Sequence, residues 1–249
     1  MPSDSPSDGL ANRFLLALPP ETLKRLRPSL EYVTIANGQV VGHVDGPIEN
    51  LYFVNRGLVS IIKTMQDGRT IEIGAVGIEG LTDWSALFGT GTAILESVVQ
   101  IPGAAYRIRR EVLKHEVEQD GALREMMQRY GRFSFTQLAQ TAACNRLHSL
   151  EERCCRWLLI AHDNARSDTF PLTHEFLAMM LGVQRAGVSV AASILKKAGL
   201  IQYTRGRMTI TDRPGLEEAA CECYGAIQTE LGKLYSNGIA RHPPHLLER

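Results

Sequence analysis

Glycine is spread unevenly along this 249-residue chain, and that unevenness does most to limit its fold. Eleven of the 22 glycines (38, 42, 46, 57, 68, 74, 77, 80, 89, 91 and 103) fall in one stretch between positions 38 and 103. Between them run short segments rich in β-branched and aromatic residues: Tyr32–Ile35, Leu51–Val54, Leu58–Lys63, Thr70–Ile73, Glu96–Ile101 and Ala104–Ile108. Strands so short and closely spaced predict an antiparallel sandwich or barrel. Asp67-Gly68 between two of them is a hairpin turn, because glycine takes the positive φ a tight turn demands. No glycine-rich turn opens a long helix, which excludes a dinucleotide-binding unit. Ahead of this region, leucines at 15, 16, 18, 23, 26 and 30 recur at helical spacing, interrupted by Pro19-Pro20, and predict short helices.

After Arg109 glycine thins out. Glu111–Gln119 reads as a short helix, and Gly121 starts a long one ending near Leu147. Leu123, Met127, Tyr130, Ser134, Leu138 and Thr141 step by threes and fours, the seam of a coiled coil. About 25 residues at ~1.5 Å rise make a rod of roughly 37 Å. The β region alone is a poor cover for so long a helix, so the seam is expected to dimerise. Met126, Phe133, Ala142 and Cys144 form a second apolar face.

Ser149–His162 predicts a helix with Leu150, Cys154, Trp157, Leu158 and Ala161 inward. Thr173 is a good N-cap for a helix over His174–Leu181. Gly182-Val183 is a tight turn, and a second helix covers Arg185–Ala198, closed by Gly199. Leu200–Thr204 and Met208–Thr211 then form a hairpin with Arg205-Gly206-Arg207 at its tip. Helix, glycine turn, helix and basic hairpin make a winged helix-turn-helix. Such a helix fits the major groove with its N-terminal side chains on base edges. Gln184, Arg185 and Ala186 are therefore the expected first readers, with Ser189 and Val190 one turn on. Thr173 and His174 open the preceding helix, where backbone N–H groups suit a phosphate. Lys196 and the wing residues Arg205 and Arg207 are further expected DNA contacts.

Charge agrees. Formal net charge is zero over the whole chain, yet residues 172–210 carry five basic side chains against Glu175, a local +4. Such a bias suits a polyanion. Residues 77–103 hold no Lys or Arg and three acids, Glu79, Asp83 and Glu96. The N-terminus lacks the apolar core of a signal peptide and no segment has ~20 apolar residues, so a cytoplasmic protein with no membrane partner is expected. The five cysteines, at 144, 154, 155, 221 and 223, are odd in number and clustered late, which predicts buried free thiols. Cys221-x-Cys223 is too short for the usual zinc pair and has no evident second pair, so no metal is expected. No nucleophile–base pair or phosphate-cradling loop marks an enzyme.

The arrangement over about residues 12–215 resembles the Crp/Fnr superfamily of bacterial regulators. Leu51–Ser60 resembles a β-roll strand pair, Gly74–Gly80 the run into the effector cassette, and Leu172–Val190 the DNA-binding motif in spacing and register. The resemblance implies a cyclic-nucleotide-binding-like β-roll, a long dimer helix, a winged C-terminal domain, a homodimer on a pseudo-palindromic duplex, and RNA polymerase as protein partner. It places the effector near Gly77, Glu79 and Gly80, although Glu-Gly here reverses the family's usual Gly-Glu. The family's cyclic-phosphate arginine is missing from Gly91–Ser97, and a buried phosphate without a cation is costly. No cysteine precedes Cys144, which excludes the iron–sulfur branch, and no cofactor is expected. The matching recognition-helix positions that hold Glu and Arg in the family's best-known member are Ala186 and Val190 here.

The expected fold class is thus α+β: a disordered 1–11, a β-roll sensor over 12–120, a dimerisation helix over 121–147, a winged helix-turn-helix over 148–225 and a helical extension over 226–249, packed on the C-terminal domain and ending at Pro243-Pro244. The competing expectation is a ligand-binding module acting through protein partners rather than DNA, against which the basic wing speaks.

Overall fold

A computed structural model of the chain describes residues 9–236. The sequence expectations for 1–8, and for the tail beyond 236 with its proline pair, lie outside the described residues. Two short helices come first, α1 (Arg13–Leu16) and α2 (Pro20–Leu26). Asn12 anchors them: its side-chain oxygen accepts from the Leu15 N–H at 3.0 Å, and its Nδ2 donates to the Val54 and Gly80 carbonyls at 2.8 Å.

Five antiparallel strands follow, β1 (Glu31–Ile35), β2 (Val40–Gly42), β3 (Asn50–Thr64), β4 (Thr70–Val76) and β5 (Glu96–Arg109). Their order is β1-β5-β3-β4, with β2 also on β5. Where the sequence predicts two strands at 51–63 and two at 96–108, the chain makes one long strand each time. The apparent breaks are bends. Gly57 sits at φ +97°, and a Cβ there would stand 2.5 Å from the Ile101 carbonyl oxygen; one on Gly103 would stand 2.0 Å from that of Arg56. Only glycine allows the two strands to approach so closely while the β3–β5 register shifts between Val54 and Val59. The bulges curl the sheet into a roll, and the hairpin at Asp67-Gly68 forms as predicted, with Gly68 at φ +82°.

Next come α3 (Arg110–Gln119) and the long α4 (Gly121–Leu147), capped by Asp120, whose carboxylate accepts from the Ala122 and Leu123 N–H groups. A capping box of Ser149 and Glu152 starts α5 (Leu150–Ala165). The C-terminal part continues through β6 (Thr169–Pro171), α6 (His174–Leu181), α7 (Arg185–Lys197), β7 (Ile201–Thr204), β8 (Arg207–Ile210), α8 (Arg213–Glu218) and α9 (Cys223–Ser236). No helix among the described residues is by itself long and apolar enough to cross a membrane.

Two departures from the sequence reading matter for function. First, α9 does not belong to the C-terminal domain. Its Ile227, Leu231 and Leu234 join the core built by α1, α2, β3, α3 and α4. The Tyr235 hydroxyl donates to the Glu79 carbonyl, and the Arg13 guanidinium lies 4.6 Å from the Tyr235 ring centre. Second, the predicted dimer seam faces inward. Leu123 and Met127 are fully buried, Tyr130 and Thr141 nearly so, and Ser134 and Leu138 are half-buried. The extra cover comes from α9, which the sequence reading had placed elsewhere. The outward face of α4 instead presents Phe135 (72% exposed), Ala139, Ala142, Ala143 and Leu147 (75% exposed).

The two halves of the molecule share a core. Leu58, Ile62, Ala75 and Ile101 of the roll pack with Trp157, Leu158, Leu177 and Leu181 of the C-terminal domain. At this contact Glu72 is buried, accepting from Ser60 Oγ at 2.5 Å and Trp157 Nε1 at 3.1 Å. Burial is the main influence on its carboxyl and lifts it to about 7, against the pull of those two donors and of Arg156. Asn164 on α5 accepts from the Ile78 N–H, and Ile71 of β4 rests on Gly182 between α6 and α7.

Candidate DNA-binding interface

Local chemistry makes the two helices. The Thr173 hydroxyl accepts from the Phe176 N–H at 3.1 Å, which caps α6. Gly182 ends it in the left-handed conformation at φ +64°. Gln184 then starts α7, and the axes of α6 and α7 meet at 108°. Val188, Ala191, Ala192 and Leu195 form the buried stripe that holds α7 down, as the sequence predicts. The opposite face is left to solvent.

That face carries Gln184, Arg185, Ala186 and Ser189, together with Val190 and Ile194, which are 59% and 47% exposed. No side chain caps the α7 N-terminus, so its free N–H groups and Arg185 point the same positive end outward. The hairpin of β7 and β8 turns through Arg205 and Gly206, both at positive φ, the conformation of a tight primed turn. Arg205 and Arg207 are exposed on it. The sequence reading missed the third strand, β6, which pairs with β8 and ends in Pro171 at the sheet edge.

Two expected contacts sit differently. His174 is wedged, not free: its Nδ1 lies 3.1 Å from Ser189 Oγ and its ring stacks on Tyr203 at 4.3 Å. Burial, and then the nearby Arg185 charge, hold its pKa below the ordinary value. A neutral ring that ties α6 to α7 and the wing is a positioning residue. Lys196 lies eleven positions beyond Arg185, about 16 Å along the helix, where it and Lys197 complement the helix C-terminus. The sequence reading undervalued Val190 and Ile194, because an apolar side chain in a helical pattern reads as core unless its angular position is known.

The residues expected to hold an effector are structural. A Cβ on Gly77 would stand 1.8 Å from Asn164 Oδ1, and one on Gly80 2.0 Å from the Tyr130 hydroxyl. Glu79 is buried and accepts from the Gly77 N–H at 2.8 Å. The cavity lies elsewhere, between the roll and α4, lined by residues such as Ile61, Leu95, Phe133, Leu138, Ser97 and Asp83. Its lining includes no Lys or Arg. Asp83 accepts from Ser97 Oγ at 3.0 Å through one oxygen, and its other is buried without a partner among the described residues.

Residues 152–219 match the family model of the Crp-like helix-turn-helix domain. This is a Crp-like helix-turn-helix domain. Beyond it the likeness is one of fold. A protein assigned to the crp/fnr family of transcriptional regulators from Eubacterium rectale superposes with a TM-score of 0.65 at 18% identity, covering 81% of this chain and 94% of its own. FixK2 from Bradyrhizobium japonicum gives 0.64 at 17%, covering 77% and 98%. A CRP-family transcriptional regulator from Thermus thermophilus, TTHB099, gives 0.61 at 22%, covering 76% and 96%. No curated protein sequence matches the chain significantly. The three structures share the fold of this chain, and the α+β class expected from sequence holds.

Proposed function

We propose that this chain is a Crp/Fnr-type transcription regulator that binds duplex DNA as a homodimer, with α7 in the major groove and the wing on the backbone. The observation that carries the reading is the exposed first half of α7, where Gln184, Arg185, Ala186, Ser189 and Val190 share one solvent face beside the wing arginines. Arg185 reads a guanine, and Val190 offers its methyl groups to a thymine. Arg205 and Arg207 neutralise phosphates.

The homodimer forms on the outer face of α4, through Phe135, Ala139, Ala142 and Leu147, and not on the buried seam. A two-fold axis along this rod spaces two copies of α7 for successive major grooves, about 34 Å apart, and so selects a pseudo-palindromic site. The signal enters at the cavity between roll and α4. Its apolar walls and its acid favour a small, largely apolar molecule with a hydrogen-bond donor facing Asp83, over a cyclic-nucleotide phosphate. The family resemblance extends the proposal to RNA polymerase as protein partner. Footprinting on upstream regions of its own genome tests the reading: symmetric half-sites that vanish in Arg185→Ala support it. Binding that is neither specific nor salt-sensitive overturns it, and leaves the domain acting through proteins.

A further inference from the structure

The buried cysteines are not scattered. Cys144 lies in the last turn of α4, His148 is the residue on which that helix ends, and Cys221 and Cys223 flank the turn into α9. Residues from two distant parts of the chain are thereby brought to one point: Cys144 Sγ is 3.6 Å from Cys221 Sγ, and Cys223 Sγ is 3.5 Å from His148 Nδ1. One ligand atom from each of the four residues lies within 4.8 Å of the others. The sequence reading found no second pair to complete Cys221-x-Cys223; the end of α4 supplies it.

We propose that Cys144, His148, Cys221 and Cys223 bind one Zn²⁺ ion through three thiolates and one imidazole. Distances fit a tetrahedron. With Zn–S about 2.3 Å and Zn–N about 2.0–2.1 Å, two sulfurs stand about 3.8 Å apart and sulfur and nitrogen about 3.5 Å. Ligands so close have no room between them for an iron–sulfur core, which fits a mononuclear ion.

The surroundings are those of a metal site. Nδ1 of His148 faces the thiols while its Nε2 meets the Glu222 carboxylate at 3.1 Å, the pairing that fixes the tautomer of a ligating imidazole. Gln140 Nε2 donates to Cys223 Sγ at 3.0 Å. Three thiolates on Zn²⁺ leave one net negative charge. Beside them Arg153 and Arg156 are buried on α5, with 7% and 5% exposure, and their charges act on the cysteines. The Nε of each has no hydrogen-bond partner among the described residues. Buried cations call for a buried anion, and the zinc–thiolate centre provides one, whereas neutral thiols do not. Such an ion would clasp the end of α4, the link into α5 and the start of α9.

Elemental analysis of the full chain, purified reduced and without chelator, should find one zinc per chain. Titrating the stripped, reduced chain with Co²⁺ should give thiolate charge-transfer and tetrahedral d–d bands that saturate at one equivalent and are abolished by Zn²⁺. Cys144→Ser and Cys223→Ser should each weaken Co²⁺ binding more than tenfold, Glu222→Gln about tenfold, and Cys154→Ala not at all. No saturating cobalt spectrum in a wild-type chain whose thiols all titrate as reduced overturns the proposal. So does a chromophore containing iron and sulfide, or a spectrum that persists in the Cys144→Ser/Cys223→Ser double variant.

Discussion

α4 and α7 are both helices with one apolar stripe legible in the sequence, and they use it in opposite ways. On α7 the stripe is the only face that touches protein, so periodicity alone separates core from reading surface. On α4 the roll, α3 and α9 cover most of the circumference, and the conspicuous Leu123–Met127–Tyr130 stripe is the deepest part of the core. The face left for a partner is the inconspicuous one, chiefly small residues bracketed by Phe135 and Leu147. A strong apolar stripe marks the first surface a helix buries, and on a well-covered helix that surface belongs to its own chain.

The comparison breaks most sharply on paired substitutions in α4. Leu123→Ala, inside, should cost ~2–5 kcal/mol of stability by leaving a cavity, read as a fall in thermal midpoint. Phe135→Glu, outside, should leave that midpoint nearly unchanged and yield a monomer by light scattering. If Leu123→Ala dissociates a dimer without destabilising the fold, the inward assignment of the seam is wrong.

A second expectation concerns the buried contact between the roll and the Crp-like domain. Glu72 has an ordinary carboxyl value of 4.5 and is lifted to about 7, chiefly by burial. The folded state therefore binds its proton more tightly than the unfolded one. Stability from this group is complete below pH 4.5 and is lost as pH rises to about 7, by about 3 kcal/mol in total. Denaturation from about pH 5 to about pH 8 should show the loss, and Glu72→Gln should flatten it.

On α7, Arg185→Ala should cost ~1–3 kcal/mol of discrimination at one base position, measured by competition with single-base variants of the site. The smallest effect is on the wing: Arg205→Ala or Arg207→Ala should weaken binding equally across sequences and reduce the slope of log affinity against log salt by about 0.9 each. A wing substitution that changes sequence preference would move part of the reading away from α7.

Much of this architecture can be read from the chain because the signals are local. Thr173 caps, Gly182 and Gly199 stop helices, Asp67-Gly68 turns a hairpin, and each acts through neighbours within a few residues. What escaped depends on residues far apart. The continuity of β3 and β5 rests on Gly57 meeting Gly103, which in sequence look like two breaks. The roles of Glu72, Asn164 and His174 arise only when distant segments close on each other. The four-residue cysteine–histidine cluster was invisible for the same reason: its second ligand pair comes from another helix.

The return of α9 to the roll has a practical corollary. Tyr235 ends beside Arg13, so the chain closes almost into a ring, with the Crp-like domain as an excursion from it. Cutting at residue 147 would remove Ile227, Leu231 and Leu234 from the core they complete. The smallest unit with an intact sensor is therefore discontinuous, and a stable version would join residue 147 to α9 through a short linker. The same proximity of ends makes this a natural scaffold for circular permutation, with new termini opened in the exposed turn at Asp67-Gly68.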